Sequence, residues 1–171
     1  QIEVLEKVIK RQLPESFKIF LKIINGQKND NFYFLPDQSL LFSSDEIINE
    51  YKAQSECFED CLEFYNDFQC VEKVRCTVFS ETRIPIAGRD GYYLFLDFDP
   101  GPNGSVGQII YLVNECDFVV LAPSFDKFID NYNFLILNND FKIQNFGNYY
   151  RLTNESNFLD GLDFENLFKV I

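Results

Sequence analysis

The apolar positions of this sequence change period along the chain. Ile2, Leu5 and Ile9 recur at near-helical spacing, with Leu13 just beyond, which predicts an amphipathic helix over residues 2–12. Pro14 suits a first helical position, where no amide donor is missed. Phe17, Phe20, Leu21 and Ile24 then form the stripe of a helix over 14–24, with Gly26 able to stop it in the left-handed region. Residues 31–35 and 40–42 read as short strands on either side of the Pro36-Asp37 turn. Ser43-Ser44-Asp45-Glu46 has the spacing of a capping box. The helix it opens would turn Ile47, Ile48, Tyr51 and, farther on, Phe58, Cys61, Leu62 and Tyr65 inward, with a break near 52–57. Glu56, Glu59, Asp60, Glu63 and Asp67 fall on its other face, where a solvated role is expected.

The pattern then becomes β. Residues 74–79, 84–87, 92–98, 108–113 and 118–122 are rich in β-branched and aromatic side chains. Arg89-Asp90-Gly91 and Asn114-Glu115-Cys116-Asp117 are hairpin-length links, so the expectation is an antiparallel meander with helices on one face. Ser124 caps a further helix over 125–138 with Phe125, Phe128, Ile129, Tyr132 and Ile136 as its stripe. Residues 141–146 and 149–153 predict a terminal hairpin around Gly147-Asn148, and 163–170 a last short helix. The length suits one α+β domain over 1–171, and no repeat or linker divides it.

Charge changes the picture. The sequence has 27 Asp and Glu against 15 Lys and Arg, a net charge of -12. Residues 1–84 carry ten basic and fifteen acidic side chains, and 85–171 carry five and twelve, so the acidity is not a tail. Such a field repels phosphate backbones and anionic membranes and favours a basic partner, although acidity also serves solubility. No apolar run approaches the length of a membrane span.

Candidate chemistry is sparse. There is no His, which removes the usual general base near neutral pH and the Ser-His-Asp and Cys-His mechanisms. Cys57, Cys61, Cys70, Cys76 and Cys116 make an odd count at irregular spacing, and no export signal opens the sequence; reduced, partly buried thiols in a cytoplasmic protein are expected. Four of them could supply thiolates to zinc, but the paired knuckles of a zinc ribbon are missing. No metal, cofactor or disulfide is expected. Asp97 and Asp99 would share a side if their strand continues, and paired carboxylates can do acid–base work. With Asn103 they look superficially like a calcium loop, but position 101 is Gly and no closing Glu follows at the required distance. They read as turn and surface carboxylates.

Three stretches in order carry a resemblance. Leu13-Pro14-Glu15-Ser16-Phe17-Lys18 runs to Ile24-Asn25-Gly26. Ile84-Pro85-Ile86-Ala87-Gly88-Arg89-Asp90-Gly91 precedes Leu94-Phe95-Leu96-Asp97. Asp99-Pro100-Gly101, Gly104 and Gly107-Gln108-Ile109-Ile110 are followed by Ala122-Pro123-Ser124-Phe125. Together they resemble the SUKH superfamily, the Smi/Knr-type domain, over about residues 10–135, with 139–171 as a C-terminal extension. The resemblance implies a SUKH-like α+β fold and, through its bacterial branch, an immunity protein that binds a toxin, often a nuclease. It also implies an alternative, an intracellular regulatory scaffold of the Smi/Knr type; a carboxylate-based enzyme is a third reading. An acidic protein can be steered to a nuclease's basic cleft and occupy it as a phosphate mimic. Two acidic surfaces are candidate contacts for such a partner. One is the helix with Glu56, Glu59, Asp60 and Glu63; the other is the loops near Asp97, Asp99, Glu115 and Asp117.

Overall fold

The computed structural model describes residues 1–27, 32–33, 35, 39–57, 72–75, 77–113, 117–138 and 142–153. Among them are four helices and two sheets. Helix α1 is Ile2–Ile9, α2 is Glu15–Ile23, α3 is Ser44–Ser55 and α4 is Phe125–Leu137. The strands are β1 Phe32–Tyr33, β2 Leu40–Leu41, β3 Arg83–Arg89, β4 Tyr92–Asp97, β5 Gln108–Val113, β6 Asp117–Ala122, β7 Lys142–Asn145 and β8 Tyr150–Thr153.

The main sheet is antiparallel, in the order β2-β3-β4-β5-β6. Its fold class is the expected α+β. All four helices pack on one face: Leu5 and Ile9 of α1, Phe17 and Leu21 of α2, Ile47 of α3 and Phe125, Phe128 and Tyr132 of α4 join Ile84, Leu94, Leu96, Ile109 and Tyr111 in one core. Alternation sends Phe95, Ile110 and Leu112 to the other face, where Val74 and Val78 cover them. Strand β5, between β4 and β6, is therefore buried on both sides along its whole length. Its unbroken apolar run Ile109–Val113 is the sequence trace of that double burial.

The expected capping box at the start of α3 forms. The Ser43 amide donates to Glu46 Oε2 at 2.6 Å and the Glu46 amide donates to Ser43 Oγ at 3.3 Å. The terminal hairpin β7–β8 also forms in the expected place.

Several expectations need correction. The described residues of 74–79 are not a strand in either ladder; Val74 and Val78 lie across the second sheet face, and the Arg83 guanidinium takes the carbonyls of Arg75 and Val78 that a ladder would have used. The strands near Pro36 do not pair with each other. Leu40–Leu41 joins the edge of the main sheet, whereas Phe32–Tyr33 pairs in parallel with β8 to make a second sheet, β1-β8-β7. Helix α2 ends at Ile23, and Ile24 is extended, so Gly26 is not its stop. Gly26 has φ +80, and a Cβ there would collide with the Ser43 backbone; it allows the close approach that brings Asn25 to Ser44. In α4 the buried position is Leu135 and not Ile136, which is 36% exposed. The inward positions expected after residue 57, and the helix expected over 163–170, lie outside the described residues.

Candidate functional site

One row of side chains crosses the second face of the main sheet where β3 begins, β4 ends and β5 begins. Arg83 is the register partner of Asp97, and Asp97 is the register partner of Gln108. All three are buried, at 1%, 0% and 1% exposure. Arg83 Nε lies 3.7 Å from Asp97 Oδ1, and Gln108 Nε2 donates to Asp97 Oδ2 at 2.9 Å. The Arg83 guanidinium donates through Nη2 to the Arg75 carbonyl at 2.7 Å and through Nη1 to the Val78 carbonyl at 3.3 Å, and it stacks 4.5 Å from the Phe118 ring. Burial pushes the Arg83 guanidinium below its ordinary value, while Asp97 and Asp99 oppose that shift. The row ties the described residues of the 72–78 segment to the sheet, and leaves Arg83 Nε buried without a hydrogen-bond partner.

Above it, the β4–β5 loop is held from both sides. Asp97 accepts from the Asp99 amide through Oδ1 and from the Gly107 amide through its main-chain oxygen. Gly101 and Asn103 amides donate to the carbonyls of Lys73 and Glu72, and Asn103 Nδ2 donates to Glu72 Oε2 at 2.6 Å. A Cβ at Gly101 would run into the Glu72 carbonyl, so the loop can lie this close only with glycine there. Asp99 is thereby presented half-exposed, paired with Arg75 at 2.9 Å.

The candidate contact residues separate accordingly. Asp97 is not a surface carboxylate: it is fully buried beneath the loop, because the strand register turns it toward Arg83. Asp97 and Asp99 also do not form a side-by-side pair, since β4 ends at Asp97 and the chain turns. Asp117 is exposed, but it pairs with Val113, at the opposite end of β5 from Gln108 and Asp97. Five strand steps put the two ends about 17 Å apart, so Asp99 and Asp117 do not belong to one patch. Glu56 is exposed at the end of α3, which runs toward the start of β3, as the Tyr51 hydroxyl bond to the Glu81 carbonyl shows. Glu56 and Asp99 therefore share one end of the sheet. Glu59, Asp60, Glu63 and Glu115 lie outside the described residues.

Exposed Glu72 and Glu81 stand at the same end. Sequence reading missed both, because neither lies in a periodic element. It also missed Arg83, whose signal was a lone charge opening an apolar strand. Cys57 is exposed, not partly buried; the other four cysteines lie outside the described residues. Among the described residues no cluster of His, Cys, Asp and Glu could hold a metal, and no helix is long and apolar enough to cross a membrane.

The model of the SMI1/KNR4 family (SUKH-1) matches residues 1–131. The chain belongs to that family. The match includes the Arg83–Asp97–Gln108 row and the clamped loop and stops within α4, so the β7–β8 hairpin is outside it. No curated protein matches this SUKH-1 chain in sequence.

Proposed function

We propose that this SUKH-1 protein is an immunity protein that neutralises a cognate toxin by binding it in the cytoplasm, with a basic, nuclease-like toxin domain as the fitting partner. The observation that carries the reading is the union of family membership with a net charge of -12. A nuclease holds phosphate in a basic cleft, and an acidic protein is drawn to that cleft and can fill it. The same charge disfavours nucleic acid and anionic membranes as partners.

The acidic end with Glu56, Glu72, Glu81 and Asp99 is the proposed contact, with Asp97 as the buried support that shapes its loop. In this reading the protein acts by occupancy and not by turnover. We further take the chain as one domain. Strand β8 of the C-terminal extension pairs with β1 of the family-matched part, and Arg89 Nη1 donates to the Tyr33 hydroxyl at 3.0 Å beside the Tyr33–Tyr149 ring contact.

The test is expression of the toxin encoded beside this gene, with and without this protein. Protection that depends on the protein supports the reading. Equal killing in both cases contradicts it, and recovery of endogenous regulatory proteins instead would favour the scaffold.

A further inference from the structure

The far side of the β4–β5 loop is fixed as firmly as the side that meets Glu72. The Ser105 amide donates to Gln108 Oε1 at 3.1 Å, and the Gln108 amide donates to the Ser105 carbonyl at 3.0 Å. The Gly107 amide donates to the Asp97 carbonyl at 2.7 Å. The Gln108 side chain is itself held, donating through Nε2 to Asp97 Oδ2 and to the Lys73 carbonyl. A β-turn closes here with Val106 and Gly107 at its corner.

This turn holds Val106 outward, 72% exposed. Turn corners favour Gly, Pro, Asn, Asp and Ser, and a valine there serves no packing purpose, since Val106 belongs to neither core cluster. Other apolar side chains are as exposed, Ile23 at 77% and Leu137 at 80%, but both end helices. Val106 instead stands on a loop fastened to the buried Asp97–Gln108 pair. Residues 102–106 of that loop carry no charge, and Asp99 stands at its base.

Charge speeds the meeting of two proteins, but salt screens it, and residence depends on a desolvated anchor near the middle of the contact. An anchor already rigid in the free protein loses little entropy when it docks. We propose that Val106 is the apolar anchor of the toxin contact, seated in a shallow apolar recess of the toxin bordered by the basic side chains that meet Asp99. This inference rests on the toxin reading and adds which side chain holds the complex once charge has brought it together.

The experiment measures association and dissociation separately for the full chain and the toxin encoded beside its gene. Val106→Ala should speed dissociation by about tenfold, while association and its salt dependence stay within about twofold of the parent. Val106→Ile should keep the slow dissociation, and Ile23→Ala should match the parent in both rates. All three side chains are exposed, so an unchanged urea midpoint checks that each variant is folded. A complex that forms and leaves at the parent's rate in V106A overturns the proposal and spares the toxin reading. Equal losses in V106A and I23A overturn it too, as does a V106A defect confined to association. No complex with the parent chain overturns the toxin reading, and this inference with it.

Discussion

Asp97 faces Arg83 across the β3–β4 ladder with both side chains buried, and this pair, not a surface carboxylate couple, is the role the fold gives Asp97. Removing one member of a buried pair leaves the other charge uncompensated. Asp97→Asn should therefore destabilise the protein by about 3–5 kcal/mol, read as a lower urea midpoint. Arg83→Met combined with Asp97→Leu should cost less than the two single changes added together, because neither charge is then stranded. An additive double variant would show that the pair is not coupled.

The β4–β5 loop predicts a contrast between two glycines. Gly101→Ala pushes a methyl group into the Glu72 carbonyl, where only backbone could move. It should cost about 1–3 kcal/mol and loosen the 72–75 segment, seen as faster amide exchange at Gly101 and Asn103. Gly107→Ala meets open space and bears only its positive φ of +81, so about 1 kcal/mol is expected with exchange in that segment unchanged.

Tyr132 sets a response to alkali. Burial raises its hydroxyl above the ordinary value of 10.0. The folded state therefore favours the neutral phenol, while the unfolded chain ionises near its ordinary value. This contribution is complete below about pH 10 and is lost as pH rises toward the raised folded value. Tyr132→Phe should accordingly show a smaller fall in urea midpoint than the parent between about pH 9 and about pH 11. Parallel pH profiles would contradict the assignment.

The legible parts of the fold were those where local chemistry and tertiary structure agree. Ser43 and Glu46 cap α3 through contacts three residues apart, and the Phe125, Phe128 and Tyr132 stripe needs only helical period. Strands β3 to β6 are linked by tight connections and by the β4–β5 loop, so their order followed from chain order. What was not legible depends on distant partners. Phe32–Tyr33 meets its strand at Tyr150–Thr153, more than a hundred residues away, and nothing local announces that pairing. Val74 and Val78 have strand composition, yet the carbonyls of Arg75 and Val78 are claimed by Arg83 from another element. The acidic end was half legible: Glu56 and Asp99 were named, but alternation along β4 could not say that Asp97 faces a buried arginine. Glu72 and Glu81 enter only once the loop contacts are known.

The central claim is that the acidic end binds a basic toxin. Its most direct measurement is the association rate of this protein with the toxin encoded beside its gene, followed against ionic strength for the parent and for a Glu56→Lys, Asp99→Lys variant. Both residues are solvent-accessible, so the variant should remain folded. The account predicts fast association that slows steeply with salt in the parent, and an association slowed by about tenfold or more, with a flatter salt dependence, in the variant. Identical rates in both proteins, or no complex at micromolar concentration, would contradict it.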